Sequence, residues 1–346
     1  MSANTYTASW ESPSNIALVK YWGKYGEQLP CNPSISFTLD QALSKTSIKA
    51  VEQTASAEVD FEFEFEGQAN QVFADKMRPF FNRLAQEMPW LLNHRLSVQS
   101  SNTFPHSSGI ASSASAYSAL ALCLCQLHQE ITQSKWPDFF EKASYFARIG
   151  SGSACRSVYA GYNVWGNSEA FANSSNEYAV NIDHLIHPVF KTFQDTILIV
   201  ERGKKSVSST AGHALLKSHP FAQDRYSIAA KQTINLLGIL QSGDLNAFIA
   251  LVESEALMLH ALMMTSPTPF ILMKPNTLAI IEKIIEHRNK TGLHVLFTLD
   301  AGANVHVLYP ESEKQAILPW IQTELVGYCQ NELYFCNQVG TGPQPQ

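Results

Sequence analysis

The sequence predicts a mixed α+β chain of two domains. Three observations carry that expectation. One segment alternates apolar and acidic residues without a slip, the mark of a strand with one wet face. Another, of helix length, is apolar on nearly every side and needs a core around it. Near residue 190 the pattern changes, and short apolar runs then alternate with long helical periods. The 346 residues suit this division, because a domain usually takes about 100–200. We place the domains at 1–190 and 191–346.

The elements follow in order. From Glu58 to Glu66 the chain puts Val59, Phe61, Phe63 and Phe65 on one face and carboxylates on the other, and Gly67 ends the strand. Leu96, Val98 and Ser100 mark a second strand, followed by a polar loop from Asn102 to Gly109. Ala111 to Leu127 is the core helix. A further helix starts near Trp136-Pro137-Asp138 with proline in its first turn, buries Phe139, Phe140, Ala143, Phe146 and Ala147, and stops at Gly150. Beyond Pro188 come a strand at 196–200, helical periods at about 223–242 and 244–263, a helix at about 276–290, and strands His294–Leu299 and Val305–Tyr309.

Composition excludes several classes. Hydrophobic residues make up 45% and charged residues 16%, enough for a full core and too apolar for a largely disordered chain. The formal charge of −6 argues against a general nucleic-acid binder. No stretch approaches the about 20 apolar residues of a membrane helix, and Met1 to Thr7 lacks the basic and apolar regions of a signal peptide. The expectation is a soluble, cytoplasmic protein with no membrane partner. Its six cysteines form no C-x-x-C pair and read as free, buried thiols in a reducing compartment. The 11 histidines show neither H-x-x-x-H nor H-E-x-x-H spacing, so a protein-held transition metal is not expected.

Three small-residue segments and one aspartate stand out. Pro105 to Ser115 sets serines and Gly109 just before the core helix, where free N–H groups, hydroxyls and the helix dipole suit phosphate. Helix capping by Ser112 or Ser113 is the plainer reading, but four serines around one glycine exceed what a cap needs. The loop is no Walker A, since G-x-x-x-x-G-K-[ST] does not occur. Asn15 to Lys24 brings Lys20, Tyr21 and Lys24 together beside Gly23, with Lys20 expected at the inner end of a strand; two cations and a phenol at one spot can hold a polyanion. Gly150 to Ser157 fails as a dinucleotide fingerprint, because it lacks the third glycine and follows a helix. It reads either as a second anion site, with Ser151, Ser153 and Arg156, or as a helix stop with a surface arginine. Asp300, at the end of a strand before Ala301-Gly302, is either a turn residue or a carboxylate at the mouth of a cleft.

Taken together, Asn15-Ile-Ala-Leu-Val-Lys-Tyr-Trp-Gly-Lys24, the run from Phe104 to Ala114, Ala147 to Ser157, Ser208-Ser-Thr-Ala-Gly212 and Thr298 to Asn304 resemble the diphosphomevalonate decarboxylase family. That family lies in the GHMP-kinase superfamily of galacto-, homoserine-, mevalonate- and phosphomevalonate kinases. The serine-rich loop marks the superfamily; Lys-Tyr-Trp-Gly-Lys and Gly-Ser-Gly-Ser-Ala-Cys-Arg mark the decarboxylase branch. The resemblance implies a GHMP-kinase-like α+β fold, with a ribosomal-protein-like βαβ domain that binds ATP, a ferredoxin-like C-terminal domain, and the active site in the cleft between them. It implies ATP with Mg²⁺ as cofactors, mevalonate 5-diphosphate as substrate, isopentenyl diphosphate, CO₂, ADP and phosphate as products, and a homodimer with no nucleic-acid partner.

By the same resemblance Asp300 meets the 3-hydroxyl as base or orienting carboxylate. Arg156 grips the substrate carboxylate, and Lys20 neutralises charge beside Asp300, keeping it ionised. Tyr21, Trp22, Gly23, Lys24, Ser151, Gly152, Ser153, Ala154, Cys155 and Thr210 line the substrate's diphosphate end. Asn102, Ser107, Ser108, Gly109, Ala111, Ser112 and Ser113 cradle the nucleotide. Three departures are visible: Asn32-Pro33-Ser34 where many members have Asn-Ser-Ser, Gly302-Ala303-Asn304 where many have Gly-Pro-Asn, and no arginine near Thr210. The alternatives are a decarboxylase of the 5-monophosphate, a small-molecule kinase that stops after phosphorylation, and an inactive ligand-sensing relative. Arg156 and the Lys20–Asp300 pair argue against the kinase, which has no carboxylate to expel, and the inactive relative would lack Asp300, Lys20 or the loop serines.

Overall fold

The structure is a computed structural model that describes residues 3–104, 110, 112–203 and 209–346, with 209–211 described by backbone alone. The first half runs β1 (Thr5–Ala17), a short hairpin β2 (Lys24–Tyr25) and β3 (Leu29–Pro30), β4 (Ser34–Glu52), β5 (Asp60–Phe65), β6 (Gln68–Ala69), α1 (Gln71–Leu84), β7 (His94–Asn102), α2 (Ser112–Thr132), α3 (Phe139–Gly150), β8 (Tyr162–Trp165) and β9 (Ala179–Asn181). The second half runs α4 (Pro188–Lys191), β10 (Gln194–Leu198), α5 (Ser209–Leu215), α6 (Ala222–Ser242), α7 (Leu245–Met264), α8 (Pro275–Thr291), β11 (Leu296–Leu299), β12 (Val305–Tyr309), α9 (Lys314–Trp320), β13 (Tyr334–Gln338) and β14 (Gln344–Pro345).

Two sheets organise these elements. β1 and β4 pair antiparallel from Thr5–Val51 to Ala17–Ser36, with a register shift between Pro13 and Asn15 where proline offers no N–H. β4 also pairs β7 along its second part and β8 along its first. β5 lies parallel to β7, a connection made by way of α1. The second sheet has the order β11-β12-β10-β13 with antiparallel neighbours, and helices separate β10 from β11 and β12 from β13. That is the ferredoxin-like pattern the resemblance implies. β14 then returns to pair with β1, so the tail of the chain closes on the first sheet.

Packing explains where the elements sit. Ile48, Ala50, Leu96 and Val98 share a core with the buried residues of α1, α2 and α3. A second core joins the sheets: Ile16, Phe37 and Tyr162 from one meet Ile197, Phe248 and Leu308 of the other half. Several sequence expectations need correction. Pro137 precedes α3 rather than entering its first turn, because Asp138 is the cap and its carboxylate accepts the Glu141 N–H at 2.9 Å. Phe140 lies off the buried face and is exposed. α2 continues five residues past Leu127, to Thr132. α7 is long and apolar enough to cross a membrane, against the expectation of no such stretch; more than half of it is buried within the fold. All six cysteines are free, but Cys31 is only half-buried and Cys336 is exposed.

Candidate active site

Lys20 does not end a strand as expected. β1 stops at Ala17, and the N–H groups of Leu18 and Val19 both turn to the Ile35 carbonyl, at 2.8 and 3.3 Å. That bend sends the Lys20 side chain inward, where it is 2% exposed and its Nζ meets Asp300 Oδ1 at 3.1 Å. Burial pulls the Lys20 pKa below its ordinary value, and the charges of Asp300 and Glu255 oppose that pull. Asp300 follows β11, so the pair spans the two sheets. This aspartate lies in a tight turn, its carbonyl accepting the Gly302 N–H at 2.7 Å, and its carboxylate faces Lys20.

Arg156 sits in a 3₁₀ segment, Gly152–Val158, directly after α3. It is no surface arginine, being 3% exposed. Its Nη1 donates to Ser34 Oγ at 2.5 Å, and the guanidinium lies 5.9 Å from the ring centres of Tyr21 and Trp165. Its buried Nε has no partner. Its charge acts on both Lys20 and Asp300. A buried guanidinium with an unspent donor is costly unless an anion meets it. Lys20 and Arg156 therefore form a buried cationic cup faced by the Asp300 carboxylate, with Glu255, itself paired to Arg225, acting on Lys20 from behind.

The loop after Lys20 is held by close approaches. Tyr21 packs edge-on against Trp165 at 4.8 Å, and a Cβ on Gly152 would come within 2.9 Å of the Tyr21 hydroxyl. Gly23 has φ +106°, and a side chain there would strike the Tyr226 hydroxyl, so only glycine fits. Its N–H donates to Nδ1 of His213, whose ring lies against Tyr21 and Trp22 at 4.6 and 4.5 Å. Burial pushes the His213 pKa down to about 3, so the ring stays neutral and able to accept. Lys24 is half-buried and donates to Gln28 Oε1 at 2.7 Å. Trp22 packs with Leu216, Leu259 and Met263, and Ala154 is fully buried. The Cys155 thiol, pushed up to about 12 by burial, turns to the Gly152 carbonyl at 3.0 Å, so this residue has only its backbone to offer a ligand.

The two serine segments meet. Ser151 Oγ and Ser113 Oγ are 3.3 Å apart. Ser112 and Ser113 open α2, and Asn102 ends β7 with its Oδ1 accepting from Ser44 Oγ at 2.7 Å. All three line a cavity of about 260 Å³ whose other walls include Phe73, Met77 and Tyr117. Ser107, Ser108, Gly109 and Ala111 lie outside the described residues, and Thr210 lies in the first turn of α5, whose residues 209–211 are described by backbone alone.

Sequence reasoning missed several residues here. Asn15 is buried; its Nδ2 donates to Ser157 Oγ at 2.8 Å and to the Ser153 carbonyl at 3.2 Å, and its Oδ1 has no partner. Ser34, Arg225, Glu255 and His260 surround the site as well. The available signal was an uncharged amide at the head of an apolar run, and two acids and a histidine in a largely apolar helix.

Comparison with known proteins places the whole chain in one family. Residues 12–177 match the diphosphomevalonate decarboxylase-like N-terminal domain, and residues 196–343 match the mevalonate 5-diphosphate decarboxylase C-terminal domain. The diphosphomevalonate decarboxylase of Eremothecium gossypii is 31% identical over 90% of this chain and 80% of its own length. The crystal structure of mevalonate diphosphate decarboxylase from Staphylococcus aureus superimposes with a TM-score of 0.85 at 26% identity, covering 99% of this chain and 98% of that one. A structure of MDDEF in complex with MVAPP, AMPPCP and magnesium gives 0.82 at 26% identity over 99% of each chain. With both halves matched in order, and with a relative at this identity spanning nine-tenths of it, the chain belongs to the diphosphomevalonate decarboxylase family.

Proposed function

We infer that this chain uses ATP and Mg²⁺ to convert mevalonate 5-diphosphate to isopentenyl diphosphate, CO₂, ADP and phosphate, through phosphorylation of the 3-hydroxyl. The observation that carries the reading is the pairing of buried Lys20 with a partly exposed Asp300, beside Arg156 and its unspent donor. Asp300 takes the position of base or orienting carboxylate at the tertiary hydroxyl, an effect worth about 10²–10⁴-fold. Arg156 holds the substrate carboxylate with the face of its guanidinium that Ser34 does not use. Lys20 spreads positive charge over the oxygens as negative charge grows there. Tyr21, Lys24, Ser151, Ser153 and Thr210 hold the diphosphate end. Gripped at both ends, the substrate presents its central oxygen in one orientation, and such alignment supplies about 7–11 kcal/mol of a barrier.

The residues present fit the nucleotide. Ser112, Ser113 and Asn102 line one end of an otherwise largely apolar cavity, which supports phosphates at the helix end and the base against Phe73, Met77 and Tyr117. Among the described residues no cluster of three His, Cys, Asp or Glu side chains stands ready for a metal. Magnesium held mainly by the nucleotide phosphates suits that donor set. ATP with Mg²⁺ supplies the phosphoryl group that makes the tertiary oxygen a leaving group. When that group departs, the electron pair of the bond to the carboxylate closes the double bond and CO₂ is lost.

The two sheets and their separate domain matches support a division into 1–190 and 191–346. Family membership supports a homodimer, and six free thiols support the cytoplasm. The deciding experiment supplies ATP, Mg²⁺ and mevalonate with zero, one or two 5-phosphates and follows ADP and CO₂. Equimolar release with the diphosphate alone is expected. Release with the monophosphate alone reassigns the substrate, and ADP without CO₂ makes the protein a kinase.

A further inference from the structure

The Lys20–Asp300 pair is also held from behind, through main-chain groups, and α7 takes part in both holds, joined at Lys20 by Arg225 of α6 and by Asn32. The Lys20 N–H donates to Glu255 Oε2 at 2.9 Å. The Lys20 carbonyl accepts from Arg225 Nη2 at 2.7 Å and from Asn32 Nδ2 at 3.1 Å. Arg225 and Glu255 close the loop with a two-bonded fork of 2.8 and 2.7 Å, their side chains 2% and 0% exposed. Five residues further along α7, His260 Nε2 lies 3.1 Å from the Asp300 carbonyl. A carbonyl only accepts, so the ring must donate there. Burial pushes the His260 pKa down to about 4, which leaves a neutral imidazole with its proton on Nε2.

Core packing does not call for this arrangement. A buried ion pair is expensive to desolvate, and apolar residues of similar size often replace one at no loss of stability. Here the polar groups of α7 instead grip the main chains of two residues that come from different sheets. Five residues of helix set their anchor points about 7.5 Å apart along one rigid axis. We propose that α7, through Glu255 with Arg225 and through His260, is the element that fixes the separation of Lys20 and Asp300 for catalysis. Glu255, Arg225 and His260 are positioning residues and touch no substrate. This rests on the reading of Lys20 and Asp300 as the pair at the reacting oxygen.

The test uses the full chain and four variants: Arg225→Met/Glu255→Leu, which removes both charges together, His260→Leu, His260→Gln, and Asp300→Asn as reference. Thermal unfolding establishes that each variant is folded at the assay temperature. The double variant and His260→Leu are expected to lose about 10–100-fold in kcat while the KM values for substrate and ATP stay within about threefold. His260→Gln, whose amide N–H still reaches toward the carbonyl, recovers most of its share of that loss. A purely structural role would lower melting temperature without this split between kcat and KM. Folded variants with kcat within about twofold of the parent, beside an inactive Asp300→Asn, overturn the positioning role alone. An active Asp300→Asn overturns the reading of the site and the proposal with it. If the double variant does not fold, the His260 variants decide.

Discussion

Asp300→Asn removes one charge with little change in volume, and its two consequences can be separated. At the 3.1 Å separation from Lys20, an effective dielectric of about 20 makes the pair worth about 5 kcal/mol. Asp300 is 30% exposed, and solvent screening cuts that to about 2–3 kcal/mol. In the variant the buried ammonium loses this stabilisation, and of the two carboxylates that raise its pKa only Glu255 remains. Burial already holds the Lys20 pKa below 10.5, and the substitution drives it lower still. Between that folded-state pKa and the unfolded value the unfolded chain binds the extra proton, so stability rises with pH. The variant should therefore be about 2–3 kcal/mol less stable than the parent at neutral pH, with a gap that narrows as the medium becomes alkaline. Its kcat should fall by about 10²–10⁴ because the oxygen at the tertiary alcohol no longer carries charge. Urea unfolding at several pH values and parallel measurement of ADP and CO₂ release check both. A kcat above about a tenth of the parent's, or a stability gap that does not shrink at high pH, refutes the reasoning.

Arg156→Lys replaces a fork by a point charge that cannot serve Ser34 and a carboxylate together, so kcat/KM for the substrate should fall about a hundredfold while KM for ATP holds; steady-state titration of each substrate checks this. Ala116→Phe fills part of the cavity beside Ser112 and Ser113 and should raise KM for ATP about tenfold with little change in kcat, a result read from ATP titration at saturating mevalonate diphosphate. His213 favours its neutral form in the fold, with a pKa of about 3 against 6.5 when free, so stability is lost as pH falls from about 6.5 toward 3. His213→Met should flatten that part of the curve in urea unfolding, and an unchanged acid limb would contradict the assignment.

How legible each element was depended on whether its neighbours change along its length. β5 keeps one wet face throughout, and α2 is buried on nearly all sides, so both showed in the periodicity. β4 does not: its first part, paired with β1 and β8, is buried residue after residue, and its later part alternates beside β7. β1 is disguised further by buried polar residues that serve other elements, as when Ser12 donates to Ser118 of α2 or to the Ser157 carbonyl. α1 carries Pro79 inside it, which reads as a stop. The site divided in the same way. Short motifs of contiguous residues pointed to Lys20, Arg156 and Asp300, which the structure brings together. The direction of a side chain is not written in such motifs, and so Trp22 and Cys155 entered the candidate set although one packs in a core and the other turns to a carbonyl. Glu255 lies 235 residues from the N–H it accepts, and nothing local announces that pairing.

The same long-range packing bears on how the site works. Lys20 and Asp300 come from different sheets, an arrangement that invites a hinge. Yet Ile16, Phe37 and Tyr162 on one side share a single buried core with Ile197, Phe248 and Leu308 on the other. Exposing those six side chains would cost about 1.5–3 kcal/mol each, a sum comparable with the whole stability of a domain. β14 pairs with β1 and ties the end of the chain to the first sheet as well. Parting the halves along this seam would therefore cost as much as unfolding, so the core holds the elements behind Lys20 and Asp300 in one fixed relation. Burial holds Lys20 below its ordinary pKa against the pull of Asp300 and Glu255, and the shared core maintains that costly placement of charge.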